Sequence, residues 1–515
     1  SPPAHALCSP AKGGRRGVEV DSMKQSQRIV KNAVLGIAAS VIGGAVYLAT
    51  VLTIAHKVSV VEFGKYSFVL AFGMFFQLVA DAGLPRMMIR EIAKEPEKVG
   101  HLVGASASLI WIISGGVILI VAGIIPFIHY GTDVKIAALI MSFATLATFH
   151  GAGYSAVLRA FEDNELNYVG FILQKILLLA FILVAIRLQT GLVGFVIAHF
   201  LSNMLLWNFY HIVVSKFYAK TKLIVDVPLW KALLVSALPM GGGVMLRQLA
   251  LQLDILVLTW MTNLTTVGLF SGPYRLSMAL RTVPQTLSLP LYPLYSRTAH
   301  LSPERFGEAY RQSLKFFALF SIPFAAFFVA WAQPILLLAL GKKFLPALPA
   351  MQLLGLGLVP FFLSTIFQYL FAALDEQKKF LISTCIGSSL RLILLVVLIP
   401  LYGFVGPSIA FVCAETVIVG IWIFQLSKLG YPAHFGHLIW RPIAAGATMS
   451  LVLYAVKDSP LIWQIGGGGL SLLVYAFGLF ALRTFSTEEI HQAREGIAFV
   501  SPFVASWAKK LRRDS

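Results

Sequence analysis

Charge and cysteine are what this chain has least of. Only 12 % of its 515 residues are charged, and 23 acidic residues face 41 Lys and Arg. So little charge beside a hydrophobic fraction of 58 % excludes an ordinary water-soluble domain. The three cysteines, Cys8, Cys385 and Cys413, have no paired spacing, and two lie inside apolar stretches, so neither a disulfide framework nor a zinc site is expected. No Gly-x-x-x-x-Gly-Lys-Ser/Thr loop is present, which argues against ATP hydrolysis by this chain. His101, His129, His150, His199 and His211 show no metal spacing, and no metal or cofactor is expected; His199, inside an apolar stretch, is placed to relay protons. No cleavable signal pattern precedes the first apolar stretch.

What the chain has in quantity is apolar stretches of about twenty residues, recurring about fourteen times from near Asn32 to near Arg483. A segment of that length crosses the hydrocarbon core as a helix, because only a helix pairs all its own backbone groups there. The expected spans are 32–54, 65–84, 102–126, 135–158, 166–186, 191–213, 230–259, 267–294, 312–339, 346–374, 380–400, 403–427, 438–456 and 461–482. With the N-terminus cytoplasmic, inner loops and span ends hold about 29 of the 41 Lys and Arg, and outer ones about 7. That asymmetry places both termini in the cytoplasm. The net charge of +18 is an orientation signal at loop positions, not a nucleic-acid surface. Residues 1–22 read as a disordered or non-native extension before Met23. Residues 486–515 read as a basic interfacial tail, kinked at Pro502, whose partner is membrane lipid.

The second half echoes the first. Glu62-Phe63-Gly64-Lys65-Tyr66-Ser67 returns about 204 residues later as Thr266-Val267-Gly268-Leu269-Phe270-Ser271. Ala160-Phe161-Glu162-Asp163-Asn164 is matched by Ala373-Leu374-Asp375-Glu376-Gln377, and Gly191-Leu192-Val193-Gly194 by Gly403-Phe404-Val405-Gly406. The expected fold is therefore an all-α polytopic membrane protein of about fourteen transmembrane helices: two pseudo-symmetric six-helix lobes (23–228 and 229–430) around a central cavity, plus two added helices (431–485). Repeated lobes are how many secondary transporters achieve alternating access.

The run Val60-Val61-Glu62-Phe63-Gly64-Lys65-Tyr66, then Ala80-Asp81-Ala82-Gly83-Leu84, then a basic loop through Arg86 and Arg90, resembles the N-terminal signature of the polysaccharide transporter (oligosaccharide-lipid flippase) family. That family belongs to the multidrug/oligosaccharidyl-lipid/polysaccharide exporter superfamily, which also holds multidrug extruders and lipid II flippases. Val267-Gly268-Leu269-Phe270, Tyr292-Pro293 and Tyr402-Gly403-Phe404-Val405-Gly406 look like the same family, so the resemblance covers about Lys31 to Gly430. It implies a flippase, not an enzyme, that moves polyprenyl-diphosphate-linked oligosaccharide across the cytoplasmic (inner) membrane of a prokaryote. It also implies a lipid-linked glycan substrate, with a polysaccharide polymerase or glycosyltransferases as neighbours. A multidrug extruder, a membrane enzyme of glycan assembly and a scaffold are the alternatives. The short outer connections weigh against the enzyme.

Ionisable groups at membrane depth cost about 2.5–3.5 kcal/mol each on insertion scales and mark functional sites. Here they are Lys175, Arg247, Asp254, Arg275, Arg281, Arg391 and Glu415, five cations against two anions. The excess suits an anionic passenger, since Arg binds phosphate oxygens in bidentate fashion. Lys175, Arg247, Arg275, Arg281 and Arg391 are the substrate-binding candidates, and Asp254, Glu415 and Asp81 are candidates for coupling or salt bridges. Seven residues separate Arg247 from Asp254, too far for a direct pair, so each is expected to find a partner on another helix or to face the cavity. A Glu415–Arg391 bridge between packed helices is one such pairing, and a helix-end carboxylate near Arg86 is the plainer reading of Asp81. Pro239, Gly241, Gly242 and Gly243, just before Arg247, suit a hinge or gate, or close helix packing.

Overall fold

The computed structural model of the chain describes residues 16–81, 83–288, 291–433 and 435–485. Side chains within 16–34 and 237–242, and those of residues 282, 435, 437 and 461, lie outside that set. The extension to residue 15 and the tail from residue 486 fall outside it too. The described chain is helical with no strand. Twelve helical stretches are long and apolar enough to cross a membrane. One of them, Gln377–Lys428, holds two expected spans, and the expected eighth span is broken into pieces too short to qualify.

The helices pack into two compact units. Unit 1 takes in the described residues up to Ile54 together with Val69–Met245. Its helices include α3 (Leu84–Lys94), α4 (Val99–Ile124), α5 (Thr132–Ala160), α6 (Asn164–Arg187) and α7 (Gly191–Phe217). Here α5 packs on α3, α4 and α7, and α6 on α7. Unit 2 takes in Ala55–Phe68 and the described residues from Leu246 onward. It contains α9 (Leu264–Ala279), α10 (Thr282–Ser288), α11 (Leu291–Leu301), α12 (Pro303–Ala330), α14 (Leu348–Ala373), α15 (Gln377–Tyr402) and α16 (Gly406–Lys428). Here α14 packs on α11, α12 and α16, and α15 on α16: the same set of pairs. The added helices α17 (Phe435–Val456) and α18 (Leu461–Ala481) pack on each other, and α17 packs on α12. Three helices not yet given are α1 (Arg16–Lys57), α2 (Val60–Asp81) and α8 (Val227–Met261). The short α13 is Ala332–Ala339.

Each sequence echo marks a backbone requirement. The α5–α6 turn puts Glu162 at φ 62° and the α14–α15 turn puts Asp375 at φ 58°. Both turns close with the same hydrogen bonds: Glu162 N–H to Arg159 and Asp163 N–H to Leu158, then Asp375 N–H to Ala372 and Glu376 N–H to Phe371. These are helix C-terminal motifs that need one left-handed residue. Gly191 and Gly403, at φ 63° and 55°, start the next helices from a conformation that L side chains avoid.

The first echo is a reciprocal crossing within unit 2. Ser59 Oγ accepts from the Glu62 amide at 3.2 Å to cap α2, and Asn263 Oδ1 accepts from the Thr266 amide at 3.0 Å to cap α9. A Cβ on Gly64 would overlap the Leu264 carbonyl oxygen, and one on Gly268 would overlap that of Val60. Each glycine thus meets the residue four positions before the other, and only glycine permits backbones this close.

Candidate functional site

The candidate site lies within unit 2, on the C-terminal half of α8, the broken α9–α10 segment, and α14, α15 and α16. Proline causes the break. Pro284 has no N–H to give the Leu280 carbonyl, and the chain there tightens into three-residue turns, Leu280 N–H to Ser277 and Arg281 N–H to Met278. Arg281 therefore lies in a turn between two helices. Four prolines, Pro273, Pro284, Pro290 and Pro293, fall in the expected eighth span; Pro273 leaves α9 intact, and the break comes at Leu280–Arg281.

Close packing of α15 and α16 positions the central charges. A Cβ on Gly387 would crowd Ile418, so the two helices meet tightly at that level. One turn along each helix, in opposite senses, come Arg391 and Glu415. Arg391 Nε donates to Asp254 Oδ1 at 2.8 Å, and its Nη2 donates to Asp254 Oδ2. Arg391 Nη1 lies 3.7 Å from Glu415 Oε1. Glu415 Oε2 accepts from Arg247 Nη2 at 2.9 Å, and that nitrogen also donates to Ser364 Oγ. Arg247 and Asp254 are thus both paired off their own helix. Asp254, Arg391 and Glu415 are buried, at 0, 4 and 5 % exposure, whereas the Arg247 side chain is 17 % exposed.

Aromatic faces frame Arg247, Arg281 and Arg275. The Arg247 guanidinium lies 5.6 Å from the Phe361 ring centroid and 5.7 Å from that of Trp422, and Arg281 lies 5.3 Å from Phe361. Arg281 Nη2 donates to Gln248 Oε1 at 3.0 Å, and its buried Nε has no partner among the described residues. No described carboxylate is ion-paired with Arg281. Arg275 Nε donates to Ser67 Oγ at 3.3 Å, with its guanidinium 5.6 Å from the Tyr66 ring. Among the described residues, Asp254 and Glu415 carry two negative charges against the three positive charges of Arg247, Arg281 and Arg391. A cavity of about 20 Å³, room for roughly one water, is lined by Arg247, Thr384, Ser388, Arg391 and Glu415 among others.

The other expected site residues lie elsewhere. Lys175, in unit 1, rests its ammonium 5.1 Å from the Tyr47 ring centroid and 5.3 Å from that of Phe171, with no described carboxylate in range. Asp81 accepts from the Gly83 amide at 3.2 Å and shapes the turn from α2 to α3, where Gly83 has φ 86°. Helix α8 runs unbroken through 239–243, and the side chains of the proposed hinge at Pro239, Gly241 and Gly242 lie outside the described residues. Sequence reasoning missed the neutral partners Ser364, Gln248, Phe361 and Trp422, for which only Pro360 beside Phe361 offered a local signal. It also missed a neutral network in unit 1: Gln174 Nε2 donates to Asn203 Oδ1 at 2.9 Å, and Asn203 Nδ2 to the Ala144 carbonyl at 2.8 Å. Asn203 stands 212 residues before Glu415, the spacing that separates Gly191 from Gly403.

Residues 29–299 match the model of the family described as polysaccharide biosynthesis protein. No curated protein sequence matches the chain. Among solved structures, the lipid II flippase MurJ in an inward closed conformation superposes with a TM-score of 0.69 at 14 % identity, covering 88 % of this chain and 99 % of that one. An inward-facing multidrug resistance transporter of the MATE family, from the MOP superfamily, gives 0.58 at 16 %, covering 79 % and 95 %. A MOP superfamily transporter from Pyrococcus furiosus, noted for the reverse polarity of its binding pocket, gives 0.54 at 16 %, covering 79 % and 96 %. At these identities the likeness concerns the fold, and the chain is a multi-pass membrane protein with that fold.

Proposed function

Because the chain belongs to the polysaccharide biosynthesis protein family, we propose that it is a flippase for polyprenyl-diphosphate-linked oligosaccharide. On this reading it works by alternating access in the cytoplasmic membrane of a prokaryote, with both termini cytoplasmic, and serves cell-surface polysaccharide assembly. The observation that carries the reading is the convergence of Arg247 and Arg281 on one ring, Phe361, with Glu415 the only described carboxylate bonded to either. Two guanidiniums with one counter-charge favour an anion, and a diphosphate offers oxygens for both. Arg275 and Lys175 add positive charge at membrane depth. Arg391, held by Asp254, serves to position its neighbours. An extruder of cationic drugs would need free carboxylates, and Asp254 and Glu415 are both tied to arginines.

The reading makes the chain a transporter, not an enzyme. Helices α1 and α2 are joined by two residues, and α6 and α7 by three, too few to carry an acid–base pair and a glycan site. The test is leaflet exchange of a fluorescent polyprenyl-diphosphate oligosaccharide in proteoliposomes, reported by a membrane-impermeant reagent. Arg247→Ala and Arg281→Ala are expected to insert normally and lose exchange. Wild-type exchange from both variants refutes the reading.

A further inference from the structure

Glu415 stands where it opposes the anion site around it. The two arginines it faces are held differently. Arg391 grips Asp254 through two nitrogens, and both residues are buried. Arg247 uses one nitrogen for both Ser364 and Glu415, is 17 % exposed and borders the small cavity. The first pair is fixed by two-point geometry and burial. The second is exchangeable. A new position for Glu415 is already close, since its other oxygen lies 3.7 Å from Arg391 Nη1.

We propose that Glu415 is a built-in surrogate for the passenger's phosphate. It holds Arg247 while the carrier is empty, and moves onto Arg391 when a diphosphate takes Arg247. The inference rests on the flippase reading, which gives Arg247 to an anionic passenger. It explains why a carboxylate sits in a site for anions: without it the empty carrier would strand Arg247 beside Arg281 at membrane depth.

The test measures binding by the full-length protein in lipid nanodiscs, with inorganic diphosphate and a short-chain prenyl diphosphate titrated in parallel. Glu415→Gln removes the competitor while leaving Arg391 on Asp254, and both probes are expected to bind at least about tenfold tighter than to wild type. Glu415→Asp draws the carboxylate back and is expected to tighten binding about threefold, which covers the case of a poorly folding Gln variant. Arg247→Gln is expected to bind neither probe. Flipping by Glu415→Gln should slow although binding tightens, an inversion that loss of structure alone would not produce. Unchanged affinity in both Glu415 variants, with binding still lost in Arg247→Gln, overturns the surrogate role and leaves the flippase reading standing. Tightening confined to the prenyl probe also overturns it, by tracing the effect to the tail. Binding unaffected by Arg247→Gln removes both.

Discussion

The Arg391–Asp254 pair should be worth more to the fold than any other described charge pair in the chain. Arg391→Met leaves Asp254 at 0 % exposure with no described cation bonded to it. Stranding one partner of a buried pair costs about 3–5 kcal/mol. At about 1.4 kcal/mol per tenfold, that lowers the folding equilibrium constant by roughly two to three and a half powers of ten. Asp254→Asn should cost less, because Arg391 still has Glu415 at 3.7 Å. The double variant Arg391→Met/Asp254→Asn should lie closer to wild type than Arg391→Met does, since no charge is left stranded. Unfolding by SDS in mixed micelles, followed by tryptophan fluorescence or circular dichroism, gives all three values. A cost under about 1 kcal/mol for Arg391→Met, or a larger cost for Asp254→Asn, would refute the assignment of this pair as the fixed one.

Three further outcomes are expected. Gly64→Val and Gly268→Val each drive a side chain into a facing carbonyl, so both should destabilise by about 1–3 kcal/mol or more in a thermal melt, and a neutral result would break the reciprocal crossing. Glu162→Gly and Asp375→Gly relieve left-handed strain at matching turns, so each should stabilise by about 0.5–1 kcal/mol; opposite signs would contradict the structural repeat. Asp226 lies outside the spans. The Leu229 amide it caps, then His101 at 2.8 Å, hold its carboxyl below the usual range. A depressed carboxyl adds stability that is present above its unfolded pKa and lost as pH falls through the folded one. Asp226→Asn should therefore flatten the stability profile below about pH 4, and an unchanged slope there would contradict this.

The spans were legible because crossing a membrane demands long apolar runs, whatever those runs pack against. The echoes were legible for a stricter reason. Gly64, Gly268, Gly191 and Gly403 answer to backbone crossings and left-handed turns, which tolerate few residues, so the repeat survives there while the helix faces diverge. The intramembrane charges could be found by type, and seven-residue spacing showed that Arg247 and Asp254 needed partners elsewhere. Which partners they take was not legible. The pairing of Arg391 with Asp254 rather than mainly with Glu415 depends on how α8 approaches α15, and a helix apolar on every side shows no periodicity to orient it. The position of the break in the eighth span was hidden among Pro273, Pro284, Pro290 and Pro293; Pro284 has no amide for the Leu280 carbonyl, which accepts from Val283 N–H at 3.1 Å instead.

The most direct measurement is the initial rate of leaflet exchange of a polyprenyl-diphosphate oligosaccharide in proteoliposomes holding wild type or Arg247→Ala, with a membrane potential imposed. The account predicts protein-dependent exchange that is faster when the starting side is negative and absent in Arg247→Ala. Exchange at the wild-type rate in that variant would contradict it, as would no exchange alongside efflux of a cationic dye.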